Sequence, residues 1–215
     1  MNLSIKSFYK ISQSRITPFG KGLSSQQAEQ MEEVEAQVFD YGWNADRESI
    51  LDDAAQSGAA GVLLEDNQGK VKGYLYGYTL DYNDELKYMS DNDILQILEC
   101  FSDECSSNSK EFIKFVRKIA KAGNIFYVSN FAVSRGGFRF KVHQMLTDFL
   151  SIVKEKNIQY LAFDALSDTQ KLLMKNDIPN AEREQKYGIK VLCVLDFSKI
   201  EYGQGTKLFL VKVIK

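Results

Sequence analysis

Asn124-Ile125-Phe126-Tyr127-Val128-Ser129-Asn130-Phe131-Ala132-Val133 is the stretch on which the reading of this chain turns. It is rich in β-branched and aromatic residues over ten positions, the signature of a buried strand. A basic, glycine-containing loop follows, Ser134-Arg135-Gly136-Gly137-Phe138-Arg139-Phe140-Lys141. Beyond it Val142, Met145, Leu146, Phe149, Leu150 and Val153 recur at helical spacing and fall on one face. Residues 158–164 then read as another strand. Arg135, Arg139 and Lys141 thus precede a helix start, whose free N–H groups and positive dipole end suit an anion. The same three side chains also suit an ordinary solvated loop.

Outward from this block, residues 167–175 predict a short helix and residues 190–197 a strand. After the Gly203-Gln204-Gly205 turn, residues 207–214 predict a last strand. Upstream, residues 3–11 hold a short strand candidate, and Pro18-Phe19-Gly20 is a turn signal. Ser24 stands three residues before Gln27, a capping-box spacing. The helix that follows carries Met31, Val34, Val38 and Phe39 on one face, and residues 46–56 predict a second, short helix. Residues 61–65 and 70–80 flank Asp66-Asn67-Gln68-Gly69 as a hairpin. Alternation along its second strand puts Tyr74, Tyr76 and Tyr78 on one face. Residues 83–123 form a polar, helical interlude. Asp91 caps a helix with Ile94, Leu95, Leu98 and Phe101, and a second helix carries Phe112, Phe115, Val116 and Ile119.

The chain has 215 residues, of which 44% are hydrophobic and 12% aromatic, enough for a sizeable core and too apolar for disorder. A net charge of −2 argues against a nucleic-acid partner. No apolar run reaches the roughly 18–20 residues of a membrane helix. Met1-Asn2-Leu3-Ser4-Ile5-Lys6 lacks the apolar stretch of a signal peptide, so a cytoplasmic protein is expected. Cys100, Cys105 and Cys193 show no CxxC spacing, and a disulfide framework is not expected. His143 is the single histidine, which leaves a zinc site without ligands, and no metal is expected.

The order strand, two helices, antiparallel hairpin, inserted helical pair, strand, loop, helix, strand, helix, strand, strand resembles the GNAT superfamily of N-acetyltransferases. The part most similar is Phe131-Ala132-Val133, the basic loop, the amphipathic helix and Gln159-Tyr160-Leu161-Ala162-Phe163. The resemblance implies an α/β (α+β) acyl-CoA N-acyltransferase fold, a central mixed, mostly antiparallel sheet with flanking helices. It implies one domain over residues 1–215 with a helical insertion at about 83–123. It also implies acetyl-CoA or another acyl-CoA as cofactor, with the pyrophosphate on the loop and the helix start and the pantetheine between the fourth and fifth strands. Carried onto this chain, the cofactor contacts fall on Phe131, Ala132, Val133, Arg135, Arg139, Phe140, Lys141, Val142 and His143. Ser167 and Thr169 are candidates beside the pantetheine arm. The family loop is usually Gln/Arg-x-x-Gly-x-Gly/Ala. Here that window holds Phe138-Arg139-Phe140-Lys141-Val142-His143, a degenerate version with Gly136-Gly137 upstream.

Many members carry a tyrosine on the helix after the fifth strand, where Leu173 stands here. Some carry a glutamate on the fourth strand, which here offers Tyr127, Ser129 and Asn130 and no carboxylate. The catalytic candidates are therefore Tyr127, Ser129 and Asp164. Trp43 and the row Tyr74, Tyr76 and Tyr78 read first as core and sheet-face residues, and the resemblance makes them candidates for the acceptor pocket. The implied reaction is acyl transfer to an amine of a small molecule or a protein. One alternative is a catalytically silent relative that binds a protein partner through residues 83–123, which the lost glycines and absent tyrosine suit. The other is an acyl-homoserine-lactone synthase, resembled in Phe39…Trp43…Asp46 and Ser129-Asn130-Phe131. That family's Glu-x-x-Arg pattern would need an arginine where Asn130 stands.

Overall fold

Ser24 starts the first helix as its spacing predicts. Gln27 N–H donates to Ser24 Oγ at 3.1 Å and Ser24 N–H to Gln27 Oε1 at 3.1 Å, satisfying groups a helix end leaves open. Asp46 opens the second helix in the same way, accepting from Ser49 N–H at 2.8 Å. The computed structural model describes residues 14–20, 22–39, 45–80, 90–101, 110, 113–115, 117–118, 124–134, 141–165, 173–199 and 207–214. The elements in chain order are β1 (Arg15–Phe19), α1 (Ser25–Val38), α2 (Arg47–Ala55), β2 (Ala60–Glu65) and β3 (Val71–Leu80). Then come α3 (Asp91–Ile97), β4 (Leu98–Cys100), β5 (Ile125–Val133), α4 (Val142–Glu155), β6 (Tyr160–Ala165), β7 (Met174–Lys175) and β8 (Ile178–Pro179). The last three are α5 (Ala181–Tyr187), β9 (Ile189–Asp196) and β10 (Lys207–Val213). The result is the expected α/β class, with antiparallel pairing at every described register. The chain divides into two compact units, Met1–Tyr78 with Val128–Val153, and Thr79–Tyr127 with Lys154–Lys215.

In the first unit the strand order is β1-β2-β3-β5. Met31 and Val34 of α1, Ile50 and Ala54 of α2, and Leu63, Tyr74, Tyr76 and Ala132 of the strands form one buried cluster. The predicted hairpin forms around Asp66, whose Oδ1 accepts from the N–H groups of Gln68 and Lys70. The strand expected over residues 3–11 lies outside the described residues. Arg15–Phe19 is a strand, although Pro18-Phe19-Gly20 reads as a turn. Pro18 is tolerated because β1 stands at the edge of the sheet among the described strands, where a missing N–H breaks no described ladder on its outer side.

In the second unit the order is β6-β10-β9-β4, around a cluster that includes Ile113, Ile125, Tyr160, Leu192, Leu195, Leu208 and Leu210. Three sequence expectations change here. The helix beginning at Asp91 does not run to Phe101 but ends at Ile97, and Leu98–Cys100 pairs with β9 instead. The open edge of β9 offers backbone partners, ending with Phe101 N–H on Leu192 O at 3.0 Å. Of the helix expected over residues 167–175, only Leu173 is both described and helical. Met174–Lys175 instead forms a two-residue hairpin with Ile178–Pro179, because Asn176 and Asp177 adopt positive φ of 53° and 61°. Finally, Cys100 is disulfide-bonded, against expectation, while Cys193 is a buried free thiol. No helix among the described residues is long and apolar enough to cross a membrane.

Candidate active site

The chemistry of the first unit gathers where α1 and α2 meet β3 and β5. Glu35 lies on α1 four residues after Met31 and three before Val38, inside the apolar stripe rather than outside it. It is fully buried. Its Oε1 accepts from Asn130 Nδ2 at 2.5 Å, while Oε2 has no hydrogen-bond partner. Burial pushes its pKa up to about 7, against smaller opposing pulls from the Ala45 backbone and Asn130. Asn130 is itself held, its Oδ1 accepting from Phe131 N–H at 2.8 Å.

Asp53 on α2 stands in the same relation to its own helix, three residues after the buried Ile50. Ser129 Oγ donates to Asp53 Oδ2, and the Tyr76 hydroxyl reaches the same oxygen at 3.5 Å. Burial raises the Asp53 pKa, the Ser129 and Tyr76 bonds restrain it, and the neighbouring Asp52 adds to the rise. Burial and the nearby Asp53 charge also push the hydroxyls of Tyr76 and Tyr78 upward. Ser129 and Asn130 are consecutive, yet both reach carboxylates on helices that share one core cluster. A regular strand would send them to opposite faces, so β5 departs from strict alternation here.

The sequence-predicted residues divide sharply. Ser129 belongs to this cluster. Tyr127 and Asp164 meet in the second unit, the hydroxyl donating to Asp164 Oδ2 at 2.7 Å. Tyr74 and Tyr76 are buried in the core with their rings 5.9 Å apart, and Tyr78 is half-buried. Ala132 and Val133 are buried and Phe131 half-buried. Lys141 stands directly before α4 and donates to Gln144 Oε1 at 3.2 Å, Val142 begins the helix, and His143 is exposed. Leu173, at the position of the family tyrosine, is buried. Trp43, Arg135, Arg139, Phe140, Ser167 and Thr169 lie outside the described residues. The sequence reading missed Glu35 and Asp53. Their signal was available, since each is an acidic residue at a helical position reserved for the core.

No protein-family model matches this sequence, and no curated protein matches it. Solved structures do. A GNAT-family acetyltransferase from Staphylococcus aureus aligns with a TM-score of 0.50 at 12% identity, over 93% of this chain and 99% of its own. yncA from Salmonella typhimurium, solved with acetyl-CoA, aligns at 0.51 and 10% identity, over 94% of each chain. The GNAT-like decarboxylase GphF, in complex with isobutyryl-CoA, aligns at 0.52 and 10% identity, over 94% of this chain and all of its own. The chain has the GNAT fold. The GNAT fold carries more than one chemistry, since one of these neighbours is called a decarboxylase. At such identity it passes on an architecture and not its residues, so the reaction has to be argued from Glu35, Asp53 and their partners.

Proposed function

We propose that this chain is a divergent GNAT-superfamily N-acyltransferase that moves an acyl group, acetyl in the first instance, from acyl-CoA to an amine. The observation that carries the reading is the GNAT fold shared with neighbours bound to acetyl-CoA and isobutyryl-CoA. The start of α4 fits a pyrophosphate. The helix is 14 residues long, has no acidic residue in its first turn, and follows Lys141 directly. Lys141, Val142 and His143 would hold the phosphates, with Arg135, Arg139 and Phe140 from the loop before them, and Ser167 and Thr169 are kept as the candidates for the pantetheine arm. When bound, acyl-CoA supplies an activated thioester.

The remaining chemistry falls to the chain. An amine that arrives as its ammonium ion must lose one proton before its nitrogen can form the new C–N bond; as the C–S bond breaks, the nitrogen sheds a second proton and the departing CoA thiolate takes one up. Glu35, with a pKa near neutral, is matched to that task. Asn130 fixes its Oε1 and leaves Oε2 to accept the proton. Ser129 is held by Asp53 as a donor beside the same strand, and Tyr127 with Asp164 remains a hydroxyl–carboxyl pair for moving protons. The acceptor is a small-molecule or protein amine, and we place the protein in the cytoplasm as a single domain with residues 83–123 inserted. Calorimetric titration with acetyl-CoA tests the first step, and saturable heat is expected. The absence of both heat and thermal shift at millimolar acetyl-CoA would overturn the reading.

A further inference from the structure

Two cysteines face each other across the ladder between β4 and β9. The register of that ladder puts Cys100 opposite Cys193. One step further on, Phe101 N–H donates to Leu192 O at 3.0 Å, which makes those two a hydrogen-bonded pair. Pairs alternate along an antiparallel ladder, so Cys100 and Cys193 form a non-hydrogen-bonded pair, the kind whose Cα atoms approach to about 4.5 Å. Their side chains share one face of the sheet, and a disulfide spans Cα separations of roughly 4.4–6.8 Å. The backbone therefore sets these two positions within bridging distance. They are not bridged to each other. Cys193 is a free thiol in the core, 1% exposed, whereas Cys100 is exposed and disulfide-bonded. The chain has three cysteines, so the partner of Cys100 within it is Cys105, which lies outside the described residues. A disulfide sulfur and a free thiol thus occupy directly opposed places on neighbouring strands.

We propose that the three cysteines share one disulfide between two positions, Cys193 displacing Cys105 from Cys100. The Cys193 sulfur attacks the Cys100 sulfur, and the Cys100–Cys105 bond breaks as the Cys100–Cys193 bond forms. The proton of the Cys193 thiol ends on the Cys105 sulfur. One disulfide and one thiol enter and leave, so no oxidant or reductant is consumed. Burial pushes the Cys193 thiol pKa well above its ordinary value, so little of the attacking thiolate is present. The exchange accordingly belongs to the slow range of uncatalysed disulfide rearrangement, about minutes to hours. Its outcome is structural. The free thiol passes from the core to position 105, and β4, three residues long and outermost among the described strands of its unit, is tied to β9 by a covalent bond. Where glutathione keeps thiols reduced, the few disulfides that persist serve redox sensing more often than support. The inference stands apart from acyl transfer and does not depend on it.

The test is disulfide mapping by mass spectrometry on the whole chain, held in native buffer at pH 8 for a day, quenched, and its free thiols alkylated with N-ethylmaleimide. The Cys100–Cys193 pair is expected beside Cys100–Cys105, with Cys105 gaining the alkylation that Cys193 loses. The third pairing, Cys105–Cys193, is expected at roughly a tenth of the cross-strand pair or less, because register rather than unfolding selects the partner. Cys105→Ser removes the leaving group and leaves the opposed thiols alone. There glutathione disulfide is expected to oxidise Cys100 and Cys193 to their mutual bond, itself reduced to glutathione, with a glutathione adduct on roughly a tenth of the chains or fewer. A parent chain that keeps only the Cys100–Cys105 pair would overturn the proposal, whatever the variant does. So would Cys105–Cys193 in an amount equal to the cross-strand pair, since scrambling through unfolding produces both. Glutathione retained on Cys100 in Cys105→Ser, with Cys193 still open to alkylation after denaturation, would show that the two sulfurs do not meet and would overturn it as well.

Discussion

A carboxylate in the stripe of a helix that faces the core is a local contradiction, and Glu35 is one. Its folded pKa of about 7 lies above the ordinary 4.5, so the folded state holds the proton more tightly than the unfolded chain does. The stability this group lends is complete below pH 4.5 and is lost as the pH rises through 7. The loss comes to roughly 3 kcal/mol. Urea unfolding at pH 5 and pH 8 is expected to show the protein less stable at the higher pH, with Glu35→Gln much less sensitive to the change. An equally steep decline in that variant would assign the effect to another group. Glu35 was legible as an anomaly in the sequence, whereas its bond to Asn130, 95 positions away, was not.

At the scale of elements, helices mend what the strands leave open. The register of β2 and β3 shifts between Leu64 and Glu65, and the N–H of Val71 at that shift donates to Gln30 Oε1 of α1 at 2.9 Å. The register of β9 and β10 shifts between Leu210 and Val211, and Val191 N–H there donates to Glu184 Oε1 of α5 at 2.6 Å. Each bulge thus has a helix side chain assigned to it, which ties that helix to its strand. The spacing of β1, β2 and β3 depends on Gly61, opposite both Phe19 and Tyr76. A Cβ there would sit 2.5 Å from Tyr76 Cβ and 2.6 Å from Leu75 O. Gly61→Ala is expected to cost roughly 2–3 kcal/mol, read as a lowered Tm, because backbone and ring must move together. A melting temperature equal to that of the parent would mean the hairpin shifts freely.

Across the whole chain, Cys193 reports on opening. It is buried in the core of the second unit, and burial pushes its thiol pKa well above the ordinary value. Since the thiolate is the reactive form, a thiol reagent at pH 8 is expected to leave Cys193 untouched in the native protein. Labelling should rise with urea in step with the loss of far-ultraviolet circular dichroism, and rapid native labelling would contradict the packing. The sequence by itself determined the features that are local. Ser24 and Asp46 start their helices, Asp66 turns its hairpin, and the apolar face of α4 is set by side chains within a few residues of one another. The order of these elements was enough to point to the GNAT fold. Only the tertiary structure decided the rest. Leu98–Cys100 becomes a strand because β9 offers an edge, Pro18 enters a strand that is outermost among the described ones, and two carboxylates meet Ser129 and Asn130 far along the chain. Those outcomes depend on partners distant in the chain, and short-range periodicity carries no record of them.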